Sequence, residues 1–186
     1  MATPFNVAVL VGSLRKESLS RKVALALAEL APTSLKLGIV EIGDLPLYNQ
    51  DAETDPPPAA WASFRDAIRK ADAVLFVTPE YNRSVPGALK NAIDVGSRPY
   101  GKSVWSGKPG AVVSVSPGAL AAFGANHALR QSLVFLDVPA MQQPEAYVGG
   151  AAGLFDASGK LANDASREFL GKFMQAYAAW VERNRA

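Results

Sequence analysis

Apolar and polar positions along this chain alternate between two rhythms. Phe5 to Val11 is an apolar run whose Val7 to Val11 core has the pattern of a strand buried on both faces; it breaks at Gly12 into a polar stretch, and Val23, Leu27 and Leu30 then recur at helical spacing. Leu35, Leu37 and Ile39 alternate as a second strand, and Trp61, Phe64 and Ile68 mark the next helix. Ala73 to Thr78 reads as a third strand and Pro86 to Asp94 as a short third helix, with Pro86 in its first turn and Ser84 as its cap. Ala111 to Val115 reads as a fourth strand, Leu129 to Leu136 as part of a fourth helix and Val138 to Met141 as a short fifth strand. Leu170, Phe173, Tyr177 and Trp180 form the apolar stripe of a closing helix. Strands alternating with helices predict an α/β protein, a parallel sheet covered on both faces in three layers. Strand order does not follow from the pattern.

At 186 residues and 49% hydrophobic content, the chain suits one domain over residues 1–186 with a substantial core. No internal repeat interrupts it, and Pro56 to Pro58 is too short for an interdomain linker. The absence of cysteine excludes disulfides, thiolate metal sites and a cysteine nucleophile, so any redox chemistry belongs to a bound cofactor. His127 is the single histidine, which leaves no histidine-rich metal site and gives His127 a structural or interface role. A net charge of +2 without interleaved aromatics argues against nucleic acid. The first apolar run has no basic residue ahead of it and no apolar segment approaches membrane-spanning length, so a soluble cytoplasmic protein is expected.

The first strand-to-helix crossing carries the clearest chemistry. A strand that feeds a helix through small residues aims unpaired N–H groups and the positive end of the helix dipole at one spot. Here Ser13, Ser18 and Ser20 add hydroxyls and Arg15 a planar charged fork, a donor set suited to a phosphate dianion. Arg15, Lys16, Arg21 and Lys22 put four positive charges into eight residues, against Glu17 alone. The loop lacks the second and third glycines of GxGxxG, which favours a mononucleotide over a dinucleotide. A literal GxxxxGK[ST] match at Gly96 to Ser103 follows a helix and leads toward a strand, the reverse of what a P-loop needs.

A second segment, Pro79 to Ser84, leaves the third strand as a loop with a flat aromatic, Tyr81. It can hydrogen-bond the edge of a planar heterocycle while the first loop holds a phosphate. Together the two segments resemble the NADPH-dependent FMN reductase family, in particular its bacterial quinone and chromate reductase branch. The resemblance rests on GSLRKESLSRK at Gly12 to Lys22, LPLYNQD at Leu45 to Asp51, TPEYNRSVPGALKNAID at Thr78 to Asp94, SGKP at Ser106 to Pro109 and LRQSLVFLDV at Leu129 to Val138. The long middle motif is the most specific of these. The chain departs from the family pattern at Arg83, where a tyrosine is expected, and after Pro117, where relatives are richer in glycine.

The resemblance implies a flavodoxin-like sheet of order 2-1-3-4-5 with FMN above the first and third strands. Phosphate contacts would fall on Ser13, Arg15, Ser18 and Ser20, with Leu19 beside them, and ring contacts on Pro79, Glu80, Tyr81, Asn82 and Arg83, largely through backbone. Ser116 matches a third flavin-facing loop, and Tyr48 and Asp51 lie in a loop that reaches a partner subunit's site in such dimers and tetramers. The implied activity is hydride transfer from NAD(P)H to bound FMN and then to a small acceptor: a quinone, chromate, an azo dye or a ferric chelate. No catalytic side chain and no metal is required, because the cofactor carries the chemistry. Arg83 is the candidate for attracting anionic groups of NADPH or acceptor. A non-enzymatic flavodoxin-type carrier shares the fold, but such carriers tend to be acidic. A phosphoacceptor receiver domain would need acidic residues where this chain has Gly12-Ser13.

Overall fold

The computed structural model describes residues 3–185. Five parallel strands pair in the order β2-β1-β3-β4-β5, with β1 at Phe5–Val11, β2 at Leu35–Ile39, β3 at Ala73–Thr78, β4 at Gly110–Val115 and β5 at Ala146–Val148. Burial explains which strands lie inside. Every residue of β3 and β4 is buried, whereas the edge strand β2 alternates and exposes Lys36 and Gly38. β1 is held on both sides, with Val9 opposite Ile39 of β2 and Leu75 of β3.

The helices divide between the two faces. Val7, Val9 and Val11 pack under α1 (Leu19–Leu30) and α5 (Asp164–Asn184), joined by Val23, Leu27, Phe173 and Tyr177. Ala8, Leu10 and Phe76 face α2 (Ala59–Arg69), α3 (Gly87–Gly96) and α4 (Phe123–Phe135), where Trp61, Trp105, Leu129 and Leu133 fill the core. This is the expected three-layer flavodoxin-like sandwich. No helix among the described residues is long and apolar enough to cross a membrane.

Two local expectations are corrected, and one rejected motif finds its structural role. The fifth strand is not Val138 to Met141: there the chain makes a single bridge, Gly110 donating to Pro139 O at 3.0 Å and Met141 donating to Gly110 O at 2.8 Å. It then leaves the ladder and rejoins at Ala146, opposite Val113. Pro139 and Pro144 have no N–H to donate, so the run cannot continue as a regular strand. Ser84 does not cap α3; Pro86 occupies that position without a side-chain cap, and Ser84 closes the preceding hairpin. The P-loop look-alike serves packing: a Cβ on Gly96 would sit 2.5 Å from the Trp105 ring, whose Nε1 donates to Ile93 O at 3.0 Å.

The long connection between β2 and α2 is pinned at several points. Asn91 of α3 accepts from Tyr48 N at 2.8 Å and donates to Leu45 O and Pro46 O, while Trp61 Nε1 also donates to Pro46 O. Arg65 makes two 2.7 Å bonds to Glu53 and donates from Nε to Val95 O at 2.9 Å. Its side chain is only 3% exposed, so it needs this partner.

Replacing Glu53 with Gln should therefore cost about 3–5 kcal/mol in urea denaturation, since a buried guanidinium loses its counter-charge. The Arg65 hydrogen bonds hold the Glu53 carboxyl below its ordinary range. Its contribution is complete above the unfolded carboxyl pKa and is lost as pH falls through the lower, folded value. Wild type should show this acid-dependent loss and Glu53→Gln should lack that component.

Candidate functional site

The polypeptide leaves β1 toward the α1 face of the sheet and leaves β3 toward the opposite face. Diverging loops open a crevice at the carboxyl ends of neighbouring strands, the usual ligand position in open α/β sheets. Gly12 lies at this divergence. Its N–H still donates to Val77 O at 2.9 Å, and a Cβ there would meet Pro79 Cδ, Thr78 Oγ1 and Leu89 Cδ2, each at 3.1 Å. The missing side chain lets the first and second loops touch.

Beyond Gly12, Ser13 Oγ accepts from Arg15 N at 3.4 Å and Ser18 caps α1, accepting from Arg21 N at 3.0 Å. The next two N–H groups, those of Leu19 and Ser20, have no acceptor among the described residues. Ser20 is 2% exposed and finds no partner for its hydroxyl; since no fully enclosed side-chain polar atom goes unpaired, this hydroxyl keeps an open edge. No acidic residue stands in the first turn of α1. The basic run proves less concentrated than its sequence: Arg21 is bonded to Glu41 at 2.7 Å and Lys22 lies 3.5 Å from Glu17. Arg15 makes no ion pair among the described residues and lines a cleft of about 270 Å³ with Ser13, Leu14 and Arg21. Two free helix N–H groups, a hydroxyl and an unpaired guanidinium fit a phosphate dianion.

The second loop is a tight hairpin. Tyr81 N donates to Ser84 O at 3.1 Å and Ser84 N to Tyr81 O at 3.0 Å, with Asn82 and Arg83 between them at φ 51° and 64°. Two successive positive φ angles mark a type I′ turn, where Asn-Gly is favoured and this chain has Asn-Arg. Tyr81 is 54% exposed. Glu80 has a structural task that its motif does not reveal. Ala122 precedes α4 with no side chain able to cap it, and the Glu80 carboxylate accepts from Ala125 N at 3.0 Å instead. The charge also faces the positive end of α4.

Ser116 lies in the third loop, after β4, where its Oγ accepts from Gly118 N at 3.0 Å and its carbonyl from Ala151 N at 3.1 Å. Ala121 and Ala122 both have positive φ, 51° and 58°, which costs an alanine about 1–2 kcal/mol each. A buried network holds this bend: Ser114 Oγ donates to Ala121 O at 2.8 Å, Asn126 to Ser114 Oγ, and Arg130 Nε to Asn126. Gly124 then lets α4 approach the second loop, since a Cβ there would lie 2.8 Å from Arg83 O and 3.0 Å from Glu80 Oε2. Neither Gly124 nor the left-handed alanines were singled out by sequence; the glycine-poor stretch after Pro117 was the only signal.

All eleven expected site residues thus lie at one end of the sheet, on the three loops after β1, β3 and β4 or, for Leu19 and Ser20, in the first turn of α1. Tyr48 and Asp51 belong instead to the connection after β2. His127 is exposed on α4, its ring tilted against Phe123 with centroids 4.2 Å apart and its Nε2 3.0 Å from Tyr147 Oη. Burial, together with the Glu145 carboxylate, pushes the Tyr147 phenol up to about 12, so it stays protonated at neutral pH. The described residues contain no cluster of three or more potential metal ligands.

Comparison with known proteins finds close relatives over the full length of the chain. Residues 5–153 match the family described as NADPH-dependent FMN reductase. A quinone reductase of Pseudomonas putida is 72% identical over 186 residues, covering 100% of both chains. A 2-hydroxy-1,4-benzoquinone reductase of Burkholderia sp is 48% identical over 180 residues, covering 97% of this chain and 98% of the other. Among solved structures, the flavoenzyme NAD(P)H:(acceptor) oxidoreductase FerB of Paracoccus denitrificans superimposes with a TM-score of 0.92 at 42% identity, covering 98% of this chain and 100% of that one.

The close approach at Gly124 is testable by stability alone. Gly124→Ala should lose about 1–3 kcal/mol, because backbone oxygen must move. Gly171→Ala, in α5 with no atom within 4 Å of the added Cβ, should instead gain up to about 1 kcal/mol. Urea denaturation of the two variants reads the contrast, and equal changes would remove the packing argument.

Proposed function

The chain belongs to the NADPH-dependent FMN reductase family, and from that premise we propose that its three carboxyl-end loops hold FMN for the reduction of a quinone. The protein is an FMN-dependent NAD(P)H oxidoreductase acting on a small-molecule acceptor. Bound FMN supplies the redox chemistry, taking hydride from the nicotinamide and passing electrons to the acceptor.

The observation that carries the assignment of residues is the uncommitted donor set at the start of α1. The N–H groups of Leu19 and Ser20 and the Ser20 hydroxyl bind phosphate together with Arg15, which makes no ion pair among the described residues although Glu41 and Asp44 also line its cleft. Ser13 and Ser18 shape the cradle: Ser18 Oγ accepts from Arg21 N and keeps its hydroxyl proton to donate. On the other side of the crevice, Pro79, Tyr81, Asn82 and Arg83 orient the ring through backbone groups of a hairpin closed by its own two backbone bonds, and Ser116 borders it from the third loop. Glu80 acts by position, bracing that hairpin against α4. No side chain needs to serve as general acid or base.

Quinone is favoured as acceptor by the names of the two relatives above, with chromate, azo and ferric acceptors as alternatives that the same open crevice admits. The enzyme works in the cytoplasm as a homodimer or homotetramer, a state supported by exposed apolar surface at Tyr100, Val134 and Phe135.

The purified protein should be yellow, bleach on adding NADPH and recover its colour on adding benzoquinone. Arg15→Ala should weaken FMN binding by about 1–3 kcal/mol in a fluorescence titration. Unchanged affinity would remove Arg15 from the phosphate site, and a colourless protein that cannot be reconstituted would overturn the reading as a whole.

A further inference from the structure

Arg83 occupies a position that its backbone disfavours. As the second central residue of the Tyr81–Ser84 hairpin it stands at φ 64°, where a two-residue turn of this type favours glycine. The turn itself gains nothing from an arginine. Its carbonyl is packed against Gly124, so the strained conformation is held by the neighbouring helix and cannot relax by swinging the loop away.

The side chain, by contrast, is hardly used by the fold. It is 74% exposed and makes no hydrogen bond among the described residues; its only ionic neighbour is Glu80, with Nη1 3.6 Å from Oε1. The Glu80 carboxylate is already committed through its other oxygen to Ala125 N and the positive end of α4. Other arginines of the crevice end are spoken for: Arg21 is bonded to Glu41, and Arg15 lies with the Ser13–Ser20 cradle. Arg83 therefore presents a planar fork of donors, free of strong competition, from a rigid hairpin on the ring side of the crevice.

We propose that the Arg83 guanidinium is a specificity-determining anchor for a phosphate group of the incoming pyridine nucleotide. The inference rests on the flavin-reductase reading of the site and adds to it the recognition of the hydride donor. The chemistry is bidentate pairing of a guanidinium with a phosphate oxyanion at a solvent-exposed rim. Two groups offer that chemistry: the diphosphate shared by NADPH and NADH, and the 2′-phosphate of NADPH alone.

The test uses the FMN-loaded protein and three variants, Arg83→Gly, Arg83→Gln and Arg83→Lys. Arg83→Gly should raise the thermal midpoint by about 1–3 °C through relief of the left-handed strain. The same variant should weaken NADP⁺ binding, measured by calorimetry, about fivefold to tenfold, with a matching rise in KM for NADPH at fixed quinone. Arg83→Gln should match that loss and Arg83→Lys should recover part of it, and the salt dependence of KM should flatten in the two uncharged variants. A loss confined to NADP⁺ assigns the 2′-phosphate; equal losses for NADP⁺ and NAD⁺, absent with reduced nicotinamide riboside, which carries no phosphate, assign the diphosphate. Unchanged nucleotide binding in both uncharged variants overturns the proposal, as does a defect that appears in kcat while KM and binding stay as in wild type. If wild type itself fails to oxidise NADPH, the reductase reading falls first, which separates the two failures.

Discussion

The architecture depends on the close approach of two loops at Gly12. Neighbouring parallel strands β1 and β3 send their chains to opposite faces of the sheet, so a gap must open where they part. Its width is set by what stands at the first residue past β1. With glycine there, Pro79 and Thr78 come within van der Waals reach of the backbone, and the N–H of Gly12 extends the sheet ladder by one bond. The crevice therefore starts at the sheet itself. A side chain at this position would push the two loops apart.

The remainder of the site follows from how each loop is braced. The first needs little help, because the start of α1 supplies its own donors. The second is closed by two backbone bonds and tied to α4 by Glu80, which replaces the capping group that Ala122 lacks. The third bends through two left-handed alanines and is held by Ser114, Asn126 and Arg130 beneath it. Among the described residues, left-handed non-glycine backbone clusters at the crevice end, at Asn82, Arg83, Ala121 and Ala122, with Asp137 standing apart from them. Such strain persists only where surrounding contacts over-determine the backbone.

Motif residues divide between binding and support in a way their spacing does not reveal. Asn91, inside the most specific stretch of the chain, spends its amide on the connection carrying Leu45, Pro46 and Tyr48. Glu80 serves α4 from the middle of the ring-facing loop. Of the four cations around the first loop, Arg21 and Lys22 are paired with carboxylates, and one of these, Glu41, is distant in sequence. Local charge counting could not see that neutralisation.

The alternation of apolar runs and helical stripes by itself determined the layered α/β class, the first four strands and the helices, because burial on two faces demands those periods. It also marked the crossing after β1 as a candidate anion cradle, since small residues, hydroxyls and a helix start are all local. Resemblance, not periodicity, supplied the strand order. Only the tertiary structure decided where β5 pairs, because Val138 to Met141 is apolar enough for a strand but Pro139 within it and Pro144 beyond it cannot donate to the ladder. Tertiary contact alone likewise decided that Glu80 caps a helix begun some forty residues later and that Gly124 admits it. Which cations stay free for a ligand was settled in the same way. Pairing between residues distant in the chain is a property of the assembled surface, and no local pattern encodes it.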